Sequence, residues 1–328
     1  MNAAFRVAMV VTVGAWCAVA GESRGAGRRQ KIAVPSSLDG VEQPCYVILP
    51  EGFDREGPPV ALLVALHTWS GNVEQRDLKM EAEADRRGWI YLWPHFRGPN
   101  NAPEACGSEK AQRDILDAVD WVLERYPVDK RRIYLTGASG GGHMTMLMAG
   151  RYPDRWTAAS AWVGISDLAA WHARHAKGGY GEMVRNSCGG APGESAAVDE
   201  EYRVRSPKTW IHQAVDLPLD LAAGVHDGHK GSVPIRHSLE AFNLVAAAQG
   251  LPGVTEEEIA QLSRPDGRLD NPRPGDNEED PTYGRAIHLR RTAGKARVTI
   301  FEGGHEGIAQ AAAEWLGRHV KEGPAAAR

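Results

Sequence analysis

Arg132-Ile133-Tyr134-Leu135-Thr136-Gly137-Ala138-Ser139-Gly140-Gly141 runs from a short apolar stretch into the pattern G-x-S-x-G, and helix-forming residues follow as far as Gly150. Strand, tight turn, helix is the order that makes the pattern informative, because a bare G-x-S-x-G recurs by chance in glycine-rich loops. A turn sharp enough to project the Ser139 hydroxyl leaves no room for side chains two positions to either side, which gives Gly137 and Gly141 a steric reason. The helix beyond the turn offers free N–H groups and a positive dipole end to charge developing there. Ser139 is the expected nucleophile, and the Gly140 N–H an expected donor to its oxyanion.

Outward from this turn, strands and helices alternate. Gln43–Leu49, Val60–Leu66, Trp89–Trp93, Arg132–Thr136, Ala158–Val163, Leu219–Val225 and Val298–Phe301 read as short buried strands. Val73–Arg87, Lys110–Arg125, Gly140–Gly150 and Gly307–Lys321 read as helices. Such alternation indicates βαβ units and a mostly parallel sheet flanked by helices in a single α/β domain. The chain has 328 residues, 42% apolar and 24% charged, with a net charge of -4. That balance excludes a disordered or polytopic membrane protein and gives no electrostatic reason to expect a nucleic-acid partner.

A serine nucleophile needs a base and an acid, and in this fold class both follow it in the chain. Among 12 histidines, His305 sits in Glu302-Gly303-Gly304-His305, just past the last strand. Two glycines free that loop to aim an imidazole at Ser139. Asp227 ends the strand Leu219–Val225, where a carboxylate can hold the His305 tautomer; its competing reading is an Asx turn before Gly228. His226, His229 and His237 cluster nearby and read as supports rather than metal ligands; no metal and no cofactor are expected. The loop His67-Thr68-Trp69-Ser70-Gly71 follows the strand Val60–Leu66 and should bring a second oxyanion donor, the backbone N–H of Trp69. Trp171 and Asp167, after the strand Ala158–Val163, are weaker substrate-contact candidates. Trp69 and Trp171 read equally as stacking platforms or core filling, and Asp167 also as a helix cap.

Leu66-His67, Tyr126-Pro127-Val128-Asp129 before the turn, Asp227 followed by Val233-Pro234, and Gly303-Gly304-His305 together resemble the α/β-hydrolase superfamily. The branch they resemble is the prolyl-oligopeptidase-like, polyhydroxybutyrate-depolymerase- and feruloyl-esterase-like one. Two departures stand out: His67-Thr68 replaces the usual His-Gly, and extra residues separate Asp227 from Val233-Pro234. The resemblance implies a serine hydrolase. Large oligopeptidases carry a propeller domain for which there is no room before Val60, so an esterase acting on carbohydrate-linked or similar acyl groups is expected. A small serine peptidase is the alternative. A catalytically silent binding protein of the same fold is the alternative of another class.

Residues 1–20 carry Arg6, an apolar run and Ala18-Val19-Ala20, which read as a cleaved signal peptide and an exported protein. A lipoprotein signal at Cys17 and an uncleaved anchor are the competing readings, and no stable membrane insertion is expected after cleavage. Residues 21–30 read as a flexible leader, and 31–328 as the catalytic domain. The thiols of Cys106 and Cys188 lie on loops leaving the same sheet edge, which admits either a bridge or two free thiols. Cys45 reads as a buried thiol. Residues 251–296, rich in Pro and Gly, read as an insertion with one short helix from Thr255 to Leu262. Its acidic run Asp276–Asp280 is expected to be exposed and mobile. The insertion either flanks the site and screens substrates by size or lies remote from it.

Overall fold

The computed structural model of the chain describes residues 29–322. The signal-peptide reading and the leader up to residue 28 fall outside them. Val60–Leu66, sequence VALLVAL, is buried from Ala61 onward. A strand apolar on both faces needs cover on both, which places it in the middle of a parallel sheet. Nine described strands form that sheet: β1 (Arg29–Pro35), β2 (Glu42–Ile48), β3 (Val60–Leu66), β4 (Ile90–Pro94), β5 (Val128–Ala138), β6 (Ala158–Trp162), β7 (Leu219–Gly224), β8 (Ile287–Ala293) and β9 (Ala296–Phe301). Their spatial order is β1-β2-β4-β3-β5-β6-β7-β9-β8. Pairings from β4 across to β9 are parallel, while the pairs β1–β2, β2–β4 and β8–β9 at the two ends are antiparallel. This is the α/β-hydrolase architecture. β1 begins at Arg29, so the last residues assigned to the leader are paired with Ile48 and Val47 of β2.

The helices are α1 (Leu78–Arg86), α2 (Glu109–Arg125), α3 (Gly140–Arg151), α4 (Leu168–His175), α5 (Gly179–Cys188), α6 (Ala196–Arg205), α7 (Arg236–Ala248), α8 (Glu256–Leu262) and α9 (Ala309–Gly317). α1 starts later than the expected Val73 because Asp77 caps it, accepting from the Met80 N–H. α2 buries Ala111, Ile115, Ala118, Val119 and Val122, a stripe at helical spacing, and gives way to extended backbone at Tyr126 before Pro127. None of the described helices is long and apolar enough to cross a membrane.

Between β6 and β7 the chain builds a cap, α4 to α6, that the strand-and-helix alternation did not anticipate. It closes over its own small core of Trp69, Cys106, Ile165, Leu168, Trp171, Val184, Cys188, Val198, Tyr202 and Val233. Cys106 and Cys188 meet there as buried free thiols, and Cys45 is a third in the main core. The admitted bridge is therefore absent from this structure. Burial pushes the Cys45 and Cys106 thiols up to about 12 and Cys188 upward too, which leaves all three as poor nucleophiles.

The insertion is more ordered than its composition suggests. Its helix α8 opens with the expected capping box, Thr255 Oγ1 accepting from Glu258 N and Glu258 Oε2 accepting from Thr255 N. Val254, Ile259 and Leu262 join the main core, and the Tyr283 ring packs tilted at 5.6–5.7 Å on Trp162 and Phe301. The expectation of a free acidic run is wrong at both its ends. Asp276 is 1% exposed and receives the Arg291 guanidinium and the Arg273 N–H; Asp280 pairs with Arg290 at 3.0 Å. Arg290 and Arg291 belong to β8, a strand hidden inside the segment read as irregular. β8 turns into β9 at Gly294, whose φ of 57° suits glycine.

Candidate active site

The turn between β5 and α3 holds Ser139 at φ 58°, ψ -117°, a conformation that costs a non-glycine residue roughly 1–3 kcal/mol. Its neighbours enforce it. A Cβ on Gly137 would meet the Gly141 carbonyl carbon at 2.6 Å, and one on Gly141 would meet Leu66 O at 2.2 Å. The Ser139 N–H is tied to Trp162 O at 2.9 Å, which holds the turn against the end of β6.

His305 Nε2 lies 2.8 Å from Ser139 Oγ, and Nδ1 lies 2.7 Å from Asp227 Oδ2. Asp227, buried, accepts from the N–H groups of Gly228 and Val233 through Oδ1 at 2.9 and 3.0 Å. With the aspartate as an acceptor at Nδ1, the proton sits there and Nε2 keeps the lone pair that faces the serine hydroxyl. Ser139, His305 and Asp227 are thus brought together. So are the two oxyanion candidates: a Cβ on Gly140 would stand 2.3 Å from Trp69 N, so the two backbones touch. The Gly140 N–H lies in the first helical turn, without an intrahelical acceptor. No hydrogen bond among the described residues uses the Trp69 N–H, while its carbonyl is fixed by Asn100 N at 2.9 Å.

The weaker substrate candidates do not meet a substrate-facing surface. Trp171 is fully buried at 4.5 Å from the Trp69 ring. Its indole Nε1–H donates to Ser232 O at 2.9 Å. Asp167 caps α4 through Ala169 N and Ala170 N and pairs with Lys208. Core filling and capping win because the cap helices cover these positions. His67, His143 and His237 are also interior, each held by burial to about 4.

Five further residues stand around the triad outside the nucleophile motif. Ser232 Oγ lies 3.4 Å from His305 Nε2. Glu302 bridges His226 Nε2 at 2.7 Å and His288 Nε2 at 2.9 Å. Arg268 of the insertion donates to His288 Nδ1 at 2.6 Å, which leaves the His288 proton on Nε2 for Glu302. The His288 and His226 hydrogen bonds hold Glu302 below the usual carboxylate range. The acid loop and the base loop are thereby joined twice, through this relay and through His226 N donating to Gly303 O at 2.9 Å. Through Arg268 and His288 the insertion is tied to the start of the loop that delivers His305. For Ser232 the available signal was the set of extra residues after Asp227; for Glu302 it was the position just before Gly303-Gly304-His305.

Two cavities adjoin these elements. One of about 380 Å³ runs beside the turn and is lined by Leu66, Thr68, Trp93, Ala138, Trp162 and Ile308. The other, about 520 Å³, lies in the insertion among Arg268, Pro272, Glu279, Arg285 and His288.

Comparison with known proteins gives a consistent picture. The sequence pattern of the prolyl oligopeptidase family matches residues 78–252, a stretch containing Ser139 and Asp227. Feruloyl esterase B of Thermothelomyces thermophilus is 29% identical over 132 residues, 37% of this chain and 44% of that protein. Acetylxylan esterase of Coprinopsis cinerea is 32% identical over 116 residues, 32% and 31% of the two chains. Acetylxylan esterase A of Emericella nidulans is 22% identical over 198 residues, 58% and 57%. This chain therefore spans between 31% and 57% of the length of these relatives. Among solved structures, the acylaminoacyl peptidase of Pyrococcus horikoshii superposes with a TM-score of 0.55 at 21% identity, covering 68% of this chain and 36% of that one. Oligopeptidase B of Leishmania major gives 0.57 at 11% identity, covering 88% and 35%.

Proposed function

The chain belongs to the prolyl oligopeptidase family, and on that premise we propose that it is an exported serine hydrolase that cleaves carboxylic esters, with carbohydrate-linked acyl groups as the substrate class. The observation that carries the reading is the unbroken hydrogen-bonded line Ser139–His305–Asp227 at 2.8 and 2.7 Å, beside two backbone N–H groups. Ser139 Oγ attacks the ester carbon while its proton passes to His305 Nε2. The carbonyl π pair moves onto oxygen, where the N–H groups of Gly140 and Trp69 hold it. His305 then protonates the leaving alkoxide, Asp227 keeps the imidazolium oriented, and water repeats the sequence to free Ser139. Ester rather than amide cleavage is supported by the likeness to feruloyl and acetylxylan esterases. An alkoxide also demands less of the general acid than an amine does. The export reading is supported by Arg6, the apolar run after it and Ala18-Val19-Ala20.

The test uses p-nitrophenyl acetate, methyl ferulate and a proline anilide, with fluorophosphonate labelling of the same protein. Ester turnover should dominate, and Ser139→Ala should remove both turnover, by about 10³-fold or more, and labelling. A Ser139→Ala variant that still labels or turns over refutes the nucleophile. Amide cleavage matching ester cleavage would make the protein a peptidase.

A further inference from the structure

The residues between Asp227 and Val233 form a small closed loop. Asp227 Oδ1 gathers the N–H groups of Gly228 and Val233 at its two ends. Gly231 lies so close that a Cβ there would stand 2.2 Å from Asp227 Oδ1 and 2.8 Å from His305 Cβ. Ser232 follows, with its carbonyl clamped by two donors from α4, Trp171 Nε1 at 2.9 Å and His175 Nε2 at 2.8 Å. A carbonyl held from two sides fixes the backbone at Ser232, and the side chain it carries lies beside the base. Ser232 Oγ stands 3.4 Å from His305 Nε2, so two hydroxyls converge on one nitrogen.

Ser139 uses its oxygen covalently once it is acylated, and the second hydroxyl then has Nε2 as its neighbour. We infer that Ser232 positions the hydrolytic water of the deacylation step; this rests on the nucleophile, base and acid assigned above. The water must lie within hydrogen-bond reach of Nε2, and an oxygen so placed borders Ser232 Oγ as well. Ser232 accepts one water O–H while the other points at Nε2. The water oxygen bonds to the acyl carbon, its proton moves to Nε2, and the carbonyl π pair moves to the oxyanion donors. When the carbonyl re-forms, the Ser139 Oγ–carbon bond breaks, the Nε2 proton returns to Ser139, and the carboxylic acid departs. Ser232 gains and loses no proton, which makes it a positioning residue.

Ser232→Ala tests the inference and leaves the backbone clamp in place. Acylation is read as p-nitrophenolate release in a single turnover with enzyme in excess over p-nitrophenyl acetate; deacylation is read from steady-state kcat and from the acyl-enzyme seen by intact mass spectrometry. We expect acylation within about threefold of the parent, kcat lower by roughly ten- to a hundredfold, and an accumulating acyl-enzyme on Ser139, since one lost hydrogen bond in a transition state is worth about that much. Ser232→Thr, which keeps the hydroxyl, should restore most of kcat. Equal losses in both steps would mean that Ser232 only props His305, and an unchanged kcat would mean that it does nothing; either overturns the inference. Parent protein that forms no acyl-enzyme on Ser139 would instead overturn the underlying reading of the site.

Discussion

Gly140→Ala is the substitution on which the proposed oxyanion hole can be judged. An added methyl would stand 2.3 Å from Trp69 N, 2.4 Å from Trp69 Cα and 2.9 Å from the Thr68 carbonyl carbon. Ordinary contact begins near 3.4 Å, so one backbone or the other must retreat by about an ångström. Neither retreats freely. Trp69 is anchored by its ring on Trp171 and by Asn100 on its carbonyl, and Gly140 is bound into the first turn of α3. Overpacking of this kind typically destabilises by about 1–3 kcal/mol, so the variant should still fold. Its main effect should be on chemistry, because a donor displaced by an ångström no longer meets the oxyanion, and losing one such donor slows turnover by about 10²–10³-fold. The assay is kcat/KM on p-nitrophenyl acetate, with circular dichroism as the folding control and fluorophosphonate labelling as a second reading of the same hole. Labelling should slow in step with turnover, since the phosphoryl oxygen needs the same donors. A folded Gly140→Ala variant retaining more than about a tenth of parent activity would refute the assignment of Trp69 and Gly140 to the hole.

Two further outcomes follow from buried polar groups. His67, His143 and His237 titrate near 4 when folded because burial disfavours the imidazolium, against about 6.5 when unfolded. The unfolded chain thus binds protons first as pH falls, and stability present above pH 6.5 is lost between 6.5 and 4, on the order of 3 kcal/mol for each histidine. Thermal melts from pH 7.5 to 4 should show a steep fall across that window; a flat profile would contradict it. Separately, Arg291→Met strips the guanidinium from Asp276, a carboxylate 1% exposed, and an abandoned buried charge costs about 3–5 kcal/mol. Tm should drop by roughly 5–15 °C, with hydrogen-exchange protection lost over residues 264–285, and Asp276→Asn should recover part of it; a shift below about 2 °C would mean that the insertion does not depend on this pair.

The strands and the nucleophile turn were legible because their signals are local. VALLVAL has one stable setting, and G-x-S-x-G between a strand and a helix has a steric meaning that needs no distant partner. β8 escaped notice because Ile287-His288-Leu289-Arg290-Arg291 is a strand whose arginines face carboxylates supplied by its own insertion, so its polarity read as a loop. The free acidic run failed for the same reason: Asp276 and Asp280 look solvated until the arginines that neutralise them are placed. Cap helices α4 to α6 lack long apolar stripes because they bury against Trp69 and Val233 of other segments, a contact that no window of sequence contains.

Trp171 shows how the site divides its labour. The sequence offered it either as a stacking platform or as core filling, and it is fully buried. It works through backbone atoms instead: its ring backs Trp69, whose N–H faces the proposed oxyanion, and its indole N–H holds the Ser232 carbonyl. One cap side chain therefore fixes both the oxyanion loop and the acid loop, while Glu302 fixes the acid loop to the base loop from the opposite end through His226. The serine turn carries its own enforcement in Gly137 and Gly141. Three loops that leave different strands are held to one another by only a few contacts. Substitutions at Trp171 or Glu302 should consequently lower turnover without removing any group that touches the ester.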